Sequence, residues 1–172
     1  VMLVHLGMTG KFFFIGRKRT KYKTSFYYNI NKEKDNKHDR IIFNLSNNQK
    51  LIYNDVRKFG FIKFIRRASV DQNSHLKLLG PEPLSTKFNI KYFKNYIIGK
   101  ERAIKDLLMD QKFISGLGNI YVNEILFFSG IRPAKKINKL KDSEIRKIVK
   151  FSKKIISKAI ILGGSSIKDF SS

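Results

Sequence analysis

Residues 105–128, K-D-L-L-M-D-Q-K-F-I-S-G-L-G-N-I-Y-V-N-E-I-L-F-F, hold the residue types best suited to binding an anion. An apolar helical run ends near Met109, and a polar link leads to Phe113 and Ile114. Gly116-Leu117-Gly118 then releases the chain into a second helix opening at Asn119. Glycines ahead of a helix let the backbone turn sharply and let a ligand come close to the peptide groups. Asparagine at the N-cap fixes the first turn, and the free N–H groups there, with the helix dipole, make an anion site. The plainer reading is a helical hairpin that uses Gly and Asn only to turn, and spacing alone leans slightly towards it. Glu124 is expected to face inward and bond the backbone of this turn, stiffening it.

Three other stretches carry polar or aromatic groups on turns. His5-Leu6-Gly7-Met8-Thr9-Gly10 puts a methionine on a glycine-flanked turn, where filling a core is the commoner use of Met. Asp55-Val56-Arg57-Lys58-Phe59-Gly60 places an aromatic ring between cations. An exposed Phe beside Arg can wedge between bases while the Arg engages phosphate or base edges, although a strand-end Phe covering a sheet is the more ordinary pattern. Asn36-Lys37-His38-Asp39 is polar, and a phosphate contact is as much as His38 suggests. No nucleophile–base constellation appears, no H-x-x-x-H metal motif occurs, and Gly116-Leu117-Gly118 is too short for a P-loop. The residues point to a nucleic-acid-binding surface with no visible catalytic chemistry.

The elements that must position these groups fall into two kinds. Residues 1–6 and 11–15 read as short strands, residues 40–45 and 50–54 as a hairpin around Ser46-Asn47-Asn48-Gln49, and residues 61–65 as a further strand. Residues 16–39 read as a polar, basic loop or ragged hairpin interrupted by Phe26-Tyr27-Tyr28. Leu79-Gly80-Pro81-Glu82-Pro83-Leu84-Ser85 forbids both a helix and an interior strand and marks a boundary. Beyond it the pattern is helical: residues 90–98 stopped by Gly99, 103–109, 119–129 stopped by Gly130, and 142–162 stopped by Gly163-Gly164. The last places Ile145, Ile148, Val149, Ile155, Ile156 and Ala159 on one face, with lysines on the other. The expectation is an α+β chain: a partial antiparallel β-sandwich over residues 1–78, a linker over 79–88, and a helical domain over 89–172.

Composition narrows the partner. The chain has 172 residues, 42% of them hydrophobic with 15 Phe, enough for real cores, and roughly 70% of its extended surface is buried on folding. Lys and Arg number 36 against 13 Asp and Glu, a net charge of +23, which favours polyanions. Lysine far outnumbers arginine while Ile, Asn, Phe and Tyr abound, so AT-rich codon usage is a second source of that charge. With no cysteine, a disulfide framework and any Cys-based zinc site within this chain are excluded. No apolar run of membrane-spanning length and no signal peptide is visible, and the default expectation is a cytoplasmic protein. The strand-like opening at Val1 and the close at Asp169-Phe170-Ser171-Ser172 read as cut ends.

Taken together, Met109-Asp110-Gln111-Lys112, Gly116-Leu117-Gly118-Asn119-Ile120-Tyr121 and Glu124 closely resemble the helix-two-turn-helix of bacterial formamidopyrimidine-DNA glycosylase. Residues 5–10, 55–60, 79–85 and 163–170 (G-G-S-S-I-K-D-F) resemble further stretches of that family in order and spacing, so the likeness runs from Val1 almost to the end. The resemblance implies a base-excision-repair DNA glycosylase and AP lyase that removes oxidised purines such as 8-oxoguanine and formamidopyrimidines from duplex DNA and cleaves the abasic strand. It implies that the damaged nucleotide is extruded, as base-modifying enzymes require. By matching motif, Met8, Arg57 and Phe59 would fill the void left in the duplex, with Phe59 wedging the stack and Arg57 facing the orphaned base. DNA contacts would come from His38, Arg57, Lys100, Lys105, Gly118 and Asn119.

The family's N-terminal proline nucleophile and following glutamate, its strand lysine, and its four-cysteine zinc finger with an arginine have no counterpart in these residues. No catalytic or metal-ligating residue is therefore assigned in this chain, and zinc is expected only for a full-length family protein. Two smaller departures are Val56, where the family usually has Pro, and Lys141, at a helix cap that usually carries Ser or Thr. The expected partner is double-stranded DNA containing oxidised bases, engaged by a monomer at the nucleoid. The competing reading is a non-catalytic DNA-binding remnant of such an enzyme. An RNA-binding, ribosome-associated protein fits the charge but not the motifs.

Overall fold

The computed structural model describes residues 1–15 and 36–162, which fall into two compact units, residues 1–70 and residues 71–162. The first is built from antiparallel strands. β1 (Met2–His5) pairs with β5 (Phe61–Phe64), opposing Met2 to Phe64 and His5 to Phe61. β2 (Lys11–Ile15), β3 (Asp39–Leu45) and β4 (Gln49–Asn54) form a second sheet in the order β2-β4-β3. The hairpin expected around the Asn-rich turn is present, with a single 3₁₀ turn over Ser46–Asn48 and Asn48 at φ 55°. Asparagine tolerates that left-handed conformation better than most residues. Central β4 buries Ile52, Tyr53 and Asn54, and a register irregularity between Asp39 and Ile41 closes the sheet at the end where β4 leads into Asp55.

The second unit is helical: α1 (Ser74–Lys77), α2 (Ile90–Ile97), α3 (Ile104–Met109), α4 (Asn119–Ser129) and α5 (Asp142–Ile161). Its core gathers Phe93, Ile104, Leu107, Phe113, Ile125 and Ile148, all fully buried. The Asn89 side chain caps α2 by accepting from Tyr92 N, 2.9 Å away. Gly99 (φ 69°) follows that helix, and Gly130 (φ 68°) ends α4 in a left-handed cap. Helix α5 buries Ile145, Ile148, Val149, Ser152 and Ile155, while Ile156 and Ala159 lie at the edge of that face.

Two features bear on the site. The compact units divide between Val70 and Asp71, and residues 79–88 pack within the helical unit. Gly80 N donates to Gln111 O at 2.8 Å, Ser115 N donates to Pro81 O at 3.1 Å, and Phe88 is fully buried. Proline and glycine exclude regular structure, and here they shape a segment that lies along the 111–115 turn and helps to fix it. The second is at Lys141, which does occupy the N-cap of α5 but has no acceptor in its side chain. Glu144 supplies the only side-chain cap there, its Oε2 accepting from Lys141 N at 2.8 Å.

Candidate nucleic-acid interface

In the sheet unit, β4 runs out of the core into Asp55, which is 1% exposed. The Asp55 carboxylate accepts from Thr9 Oγ1 (2.5 Å), Tyr53 Oη (3.0 Å), Arg57 N (3.2 Å) and Gly60 N (3.0 Å). One side chain thereby ties the turn after β1 to both ends of the turn before β5. Its backbone is held as well: Asp55 N donates to His38 O at 3.0 Å, and Arg40 Nε donates to Asp55 O at 2.9 Å. Burial alone would raise the Asp55 carboxyl, but the Thr9, Gly60, Tyr53 and Lys58 hydrogen bonds favour the anion and bring it down to about 2. Tyr53 moves the other way: burial, then its bond to Asp55 and that residue's charge, push the phenol up to about 12. It therefore remains a hydrogen-bond donor at any ordinary pH.

The Tyr53 hydroxyl is why two glycines stand here. A Cβ on Gly60 would overlap it, and one on Gly10 would overlap the Leu6 carbonyl beside it. The two turns can therefore lie back to back, and what they present outward is Met8, Arg57 and Phe59. Met8 is 75% and Phe59 59% exposed. Arg57 Nη1 donates to Met8 Sδ at 3.1 Å, and the guanidinium lies 4.5 Å from the Phe59 ring centroid. Lys58 between them takes a left-handed φ of 59°. A planar cation, a thioether and an aromatic ring thus form one protruding cluster on a buried anionic anchor.

In the helical unit, the turn between α3 and α4 is braced from inside. Phe113 is buried in an aromatic cluster, stacked on Tyr92 with centroids 5.7 Å apart, and Tyr92 Oη donates to Phe113 O at 2.8 Å. Asp110 accepts from Lys112 N at 3.0 Å and from Arg102 Nη1 at 2.9 Å. Burial works against its charge, yet those bonds and the neighbouring cations hold its carboxyl below the usual range. Gln111 spans the second turn, its Nε2 donating to Leu117 O and its Oε1 accepting from Gly116 N, both at 2.8 Å. The bracing expected of Glu124 is made by Gln111, because the turn offers one free C=O and one free N–H, and only an amide can serve both.

Gly118 occupies the N-cap of α4, and no side chain caps the helix. Asn119, expected at that cap, is instead the first helical residue and is exposed. A Cβ at Gly116 or Gly118 would meet nothing within 4 Å, so the approach to the uncapped end is open. Such an end, with its free N–H groups and helix dipole, favours an anion. Lys105 is half-buried on α3, whose start is tied down by Lys105 N donating to Pro133 O at 3.2 Å.

Two domain models match the chain in sequence order. Residues 1–62 match the formamidopyrimidine-DNA glycosylase N-terminal domain, and residues 79–171 match the formamidopyrimidine-DNA glycosylase H2TH domain. The chain belongs to the formamidopyrimidine-DNA glycosylase family. A formamidopyrimidine-DNA glycosylase of Rickettsia bellii is 39% identical over 169 residues, covering 98% of this chain and 56% of that protein. One from Bradyrhizobium sp. is 36% identical over 175 residues, covering 98% and 59%. Among solved structures, the Lactococcus lactis enzyme bound non-covalently to DNA containing an AP site superposes with a TM-score of 0.78 at 34% identity, covering 95% of this chain and 57% of that one. MutM in complex with DNA containing carbocyclic 8-oxo-G gives 0.80 at 35%, covering 97% and 57%. The chain thus spans a little over half the length of the relatives it matches.

Within this glycosylase fold, the residues singled out from sequence divide between the two units. Met8, Arg57 and Phe59 come together, as described. His38 lies beside them in the chain fold rather than in the cluster: its carbonyl holds Asp55 N, and its Nδ1 is 3.5 Å from Arg40 Nη2. Gly118, Asn119 and Lys105 belong to the helical unit. So does Lys100, whose ammonium donates to Tyr96 O at 2.6 Å and lies 3.4 Å from the Tyr96 ring centroid. Sequence reasoning passed over Asp55, Thr9, Tyr53 and Gln111. The available signal was an Asp opening a turn that closes on Gly60, the usual arrangement of a carboxylate gathering local backbone N–H groups. The family binds zinc, but this chain has no cysteine, and no metal-ligating cluster is found among the described residues. Nor is any described helix long and apolar enough to cross a membrane.

Proposed function

We propose that this chain is the DNA-gripping region of a base-excision-repair enzyme, a DNA glycosylase and AP lyase that removes oxidised purines from duplex DNA and cleaves the abasic strand. The observation that carries it is the exposed Met8–Arg57–Phe59 cluster braced on a buried carboxylate. Chemistry on a stacked base requires the nucleotide to leave the helix, and the vacated space must be filled for the open duplex to persist. An apolar wedge offsets the unstacking, which costs a few kcal/mol per step. Phe59 serves as that wedge, Met8 fills beside it, and the Arg57 guanidinium turns from Met8 and Phe59 to the orphaned base.

In the helical unit the uncapped end of α4, with the Asn119 amide, holds a backbone phosphate, and Lys105 adds charge. His38 contributes a phosphate contact, as does Lys100 once its ammonium leaves the Tyr96 carbonyl. Support comes from the solved neighbours, which are formamidopyrimidine-DNA glycosylases bound to DNA with an AP site or carbocyclic 8-oxo-G. All of these roles are binding roles, and no residue of this chain is assigned to proton transfer or nucleophilic attack. The protein works as a monomer on double-stranded DNA in the cytoplasm.

The test compares a duplex carrying an abasic-site analogue with its undamaged counterpart, titrated with this chain at matched salt. The damaged duplex should bind more tightly, roughly tenfold, equivalent to about 1.4 kcal/mol. Phe59→Ala should remove that preference, whereas Asn119→Ala should weaken both duplexes by about 1–3 kcal/mol through a lost hydrogen bond to a charged group. Equal affinity of the native chain for the two duplexes would sink the lesion-directed reading.

A further inference from the structure

Met8 stands apart from the other methionines of the chain. It is 75% exposed, against 36% for Met2 and 38% for Met109, and its sulfur is engaged at 3.1 Å by the same guanidinium that covers Phe59. A thioether is a weak acceptor, so the Arg57–Met8 contact is one that Arg57 can readily abandon for a nucleic acid. The sulfoxide differs in both respects that matter: it is polar where the thioether is apolar, and its oxygen is a strong acceptor. We infer that Met8 is an oxidation site through which peroxide reversibly weakens the grip on DNA, by locking Arg57 onto the loop and removing the apolar filler beside Phe59. The inference rests on the proposed role of this cluster at the duplex.

The step needs no protein group beyond the Met8 sulfur. Hydrogen peroxide accepts the sulfur lone pair at its nearer oxygen, the S–O bond forms as the O–O bond breaks, and the proton on the transferred oxygen passes to the departing hydroxide, which leaves as water. Sulfur is oxidised by two electrons, and the peroxide is reduced by two. Exposure leaves the sulfur's remaining lone pair open to the oxidant. The new oxygen is attached to the atom already within reach of Arg57 Nη1, so a charge-assisted hydrogen bond can form after a small rotation of the Met8 side chain. Asp55 holds the Arg57 backbone N–H at 3.2 Å, which keeps the two partners opposite one another while this happens. A thiol-dependent methionine sulfoxide reductase reverses the change.

The experiment treats the chain with dilute hydrogen peroxide, follows sulfoxide at Met2, Met8 and Met109 by peptide mass analysis, and titrates each sample with the abasic-analogue duplex. Met8 should convert ahead of the other two, and affinity should fall roughly three- to tenfold in step with that conversion, a loss of the size expected for one hydrogen-bonded charged group. Sulfoxide reductase should restore the affinity. In Met8→Leu the ratio of treated to untreated affinity should stay at one, whatever that variant's starting affinity. Complete Met8 oxidation with unchanged binding, or an equal loss in Met8→Leu, overturns the switch. Untreated Arg57→Ala serves as the separate control: if it binds the duplex as well as the native chain does, the cluster's role at DNA fails, and the switch with it.

Discussion

At Asp55 the Thr9 and Tyr53 hydroxyls and the Arg57 and Gly60 amides converge on one buried carboxylate. All four are donors, so the site is built for an anion, and the carboxyl's descent to about 2 expresses that match. Asp55→Asn keeps the size but places an amide NH₂ against donors, and should destabilise the sheet unit by about 2–4 kcal/mol at neutral pH. The pH dependence follows from the direction of the shift. A carboxylate whose folded pKa lies below its unfolded value stabilises the fold above the unfolded pKa, near 3.8, and that contribution disappears as pH falls towards about 2. The contribution is about 2 kcal/mol, from 1.36 kcal/mol per pH unit. Urea unfolding of the native chain and Asp55→Asn should therefore give a gap that is constant above pH 5 and narrows steadily towards pH 2. A gap that ignores pH would mean that shape, not charge, carries the site. The Arg57 and Gly60 amides lie in the turn that Asp55 opens and were within reach of the sequence, whereas Thr9, 46 residues away, was not, because only the folded sheet unit brings the turn after β1 against it.

Helices and their ends were more readable than the turn between them. Gly99 and Gly130 stop α2 and α4 because a left-handed residue is needed there, and glycine adopts that conformation without penalty. The buried stripe of α5 follows from a helical repeat that the sequence displays directly, although buried Ser152 sits within it and a polarity pattern cannot anticipate that. The sequence expectation braces the α3–α4 turn with Glu124, whereas Gln111 makes the hydrogen bonds that span it. A carboxylate could accept from Gly116 N but has nothing to give Leu117 O. Gln111→Glu should accordingly loosen the turn and weaken duplex binding roughly three- to tenfold, with far-UV circular dichroism unchanged. Binding equal to that of the native chain would return the bracing role to the aromatic anchor at Phe113. The other weak point is the start of α5, where Lys141 puts a cation and no acceptor at a positive helix end. Lys141→Ser should raise stability by about 1 kcal/mol, read from the urea midpoint. No gain would imply that Glu144, which accepts from Lys141 N at 2.8 Å and pairs with Lys135 at 2.7 Å, already satisfies that end.

For the whole molecule the open question in the composition was whether a charge of +23 reflects DNA binding or codon usage. The structure separates cations by what they already touch. Lys94 pairs with Asp142 at 2.9 Å, Arg102 with Asp110 at 2.9 Å and Lys135 with Glu144 at 2.7 Å, so these charges are committed within the fold. Among the described residues the Arg57 guanidinium is held by a thioether and an aromatic face, and Lys105 has no carboxylate partner. A cation that neutralises a phosphate releases condensed counterions, so each such contact adds about 0.9 to the slope of log affinity against log salt concentration. Binding driven by overall charge would lose a similar small increment for any lysine removed. Binding through the two proposed surfaces would not. Lys105→Ala should lower the slope by about 0.9, Arg57→Ala, which loses a base contact rather than a phosphate contact, should lower affinity without that change of slope, and Lys94→Ala should leave both unchanged. Titrations of one duplex over a range of salt concentrations measure all three variants on the same footing. If Lys94→Ala lowers the slope as much as Lys105→Ala does, the excess lysine acts as a diffuse field, and codon usage becomes the better explanation of its abundance.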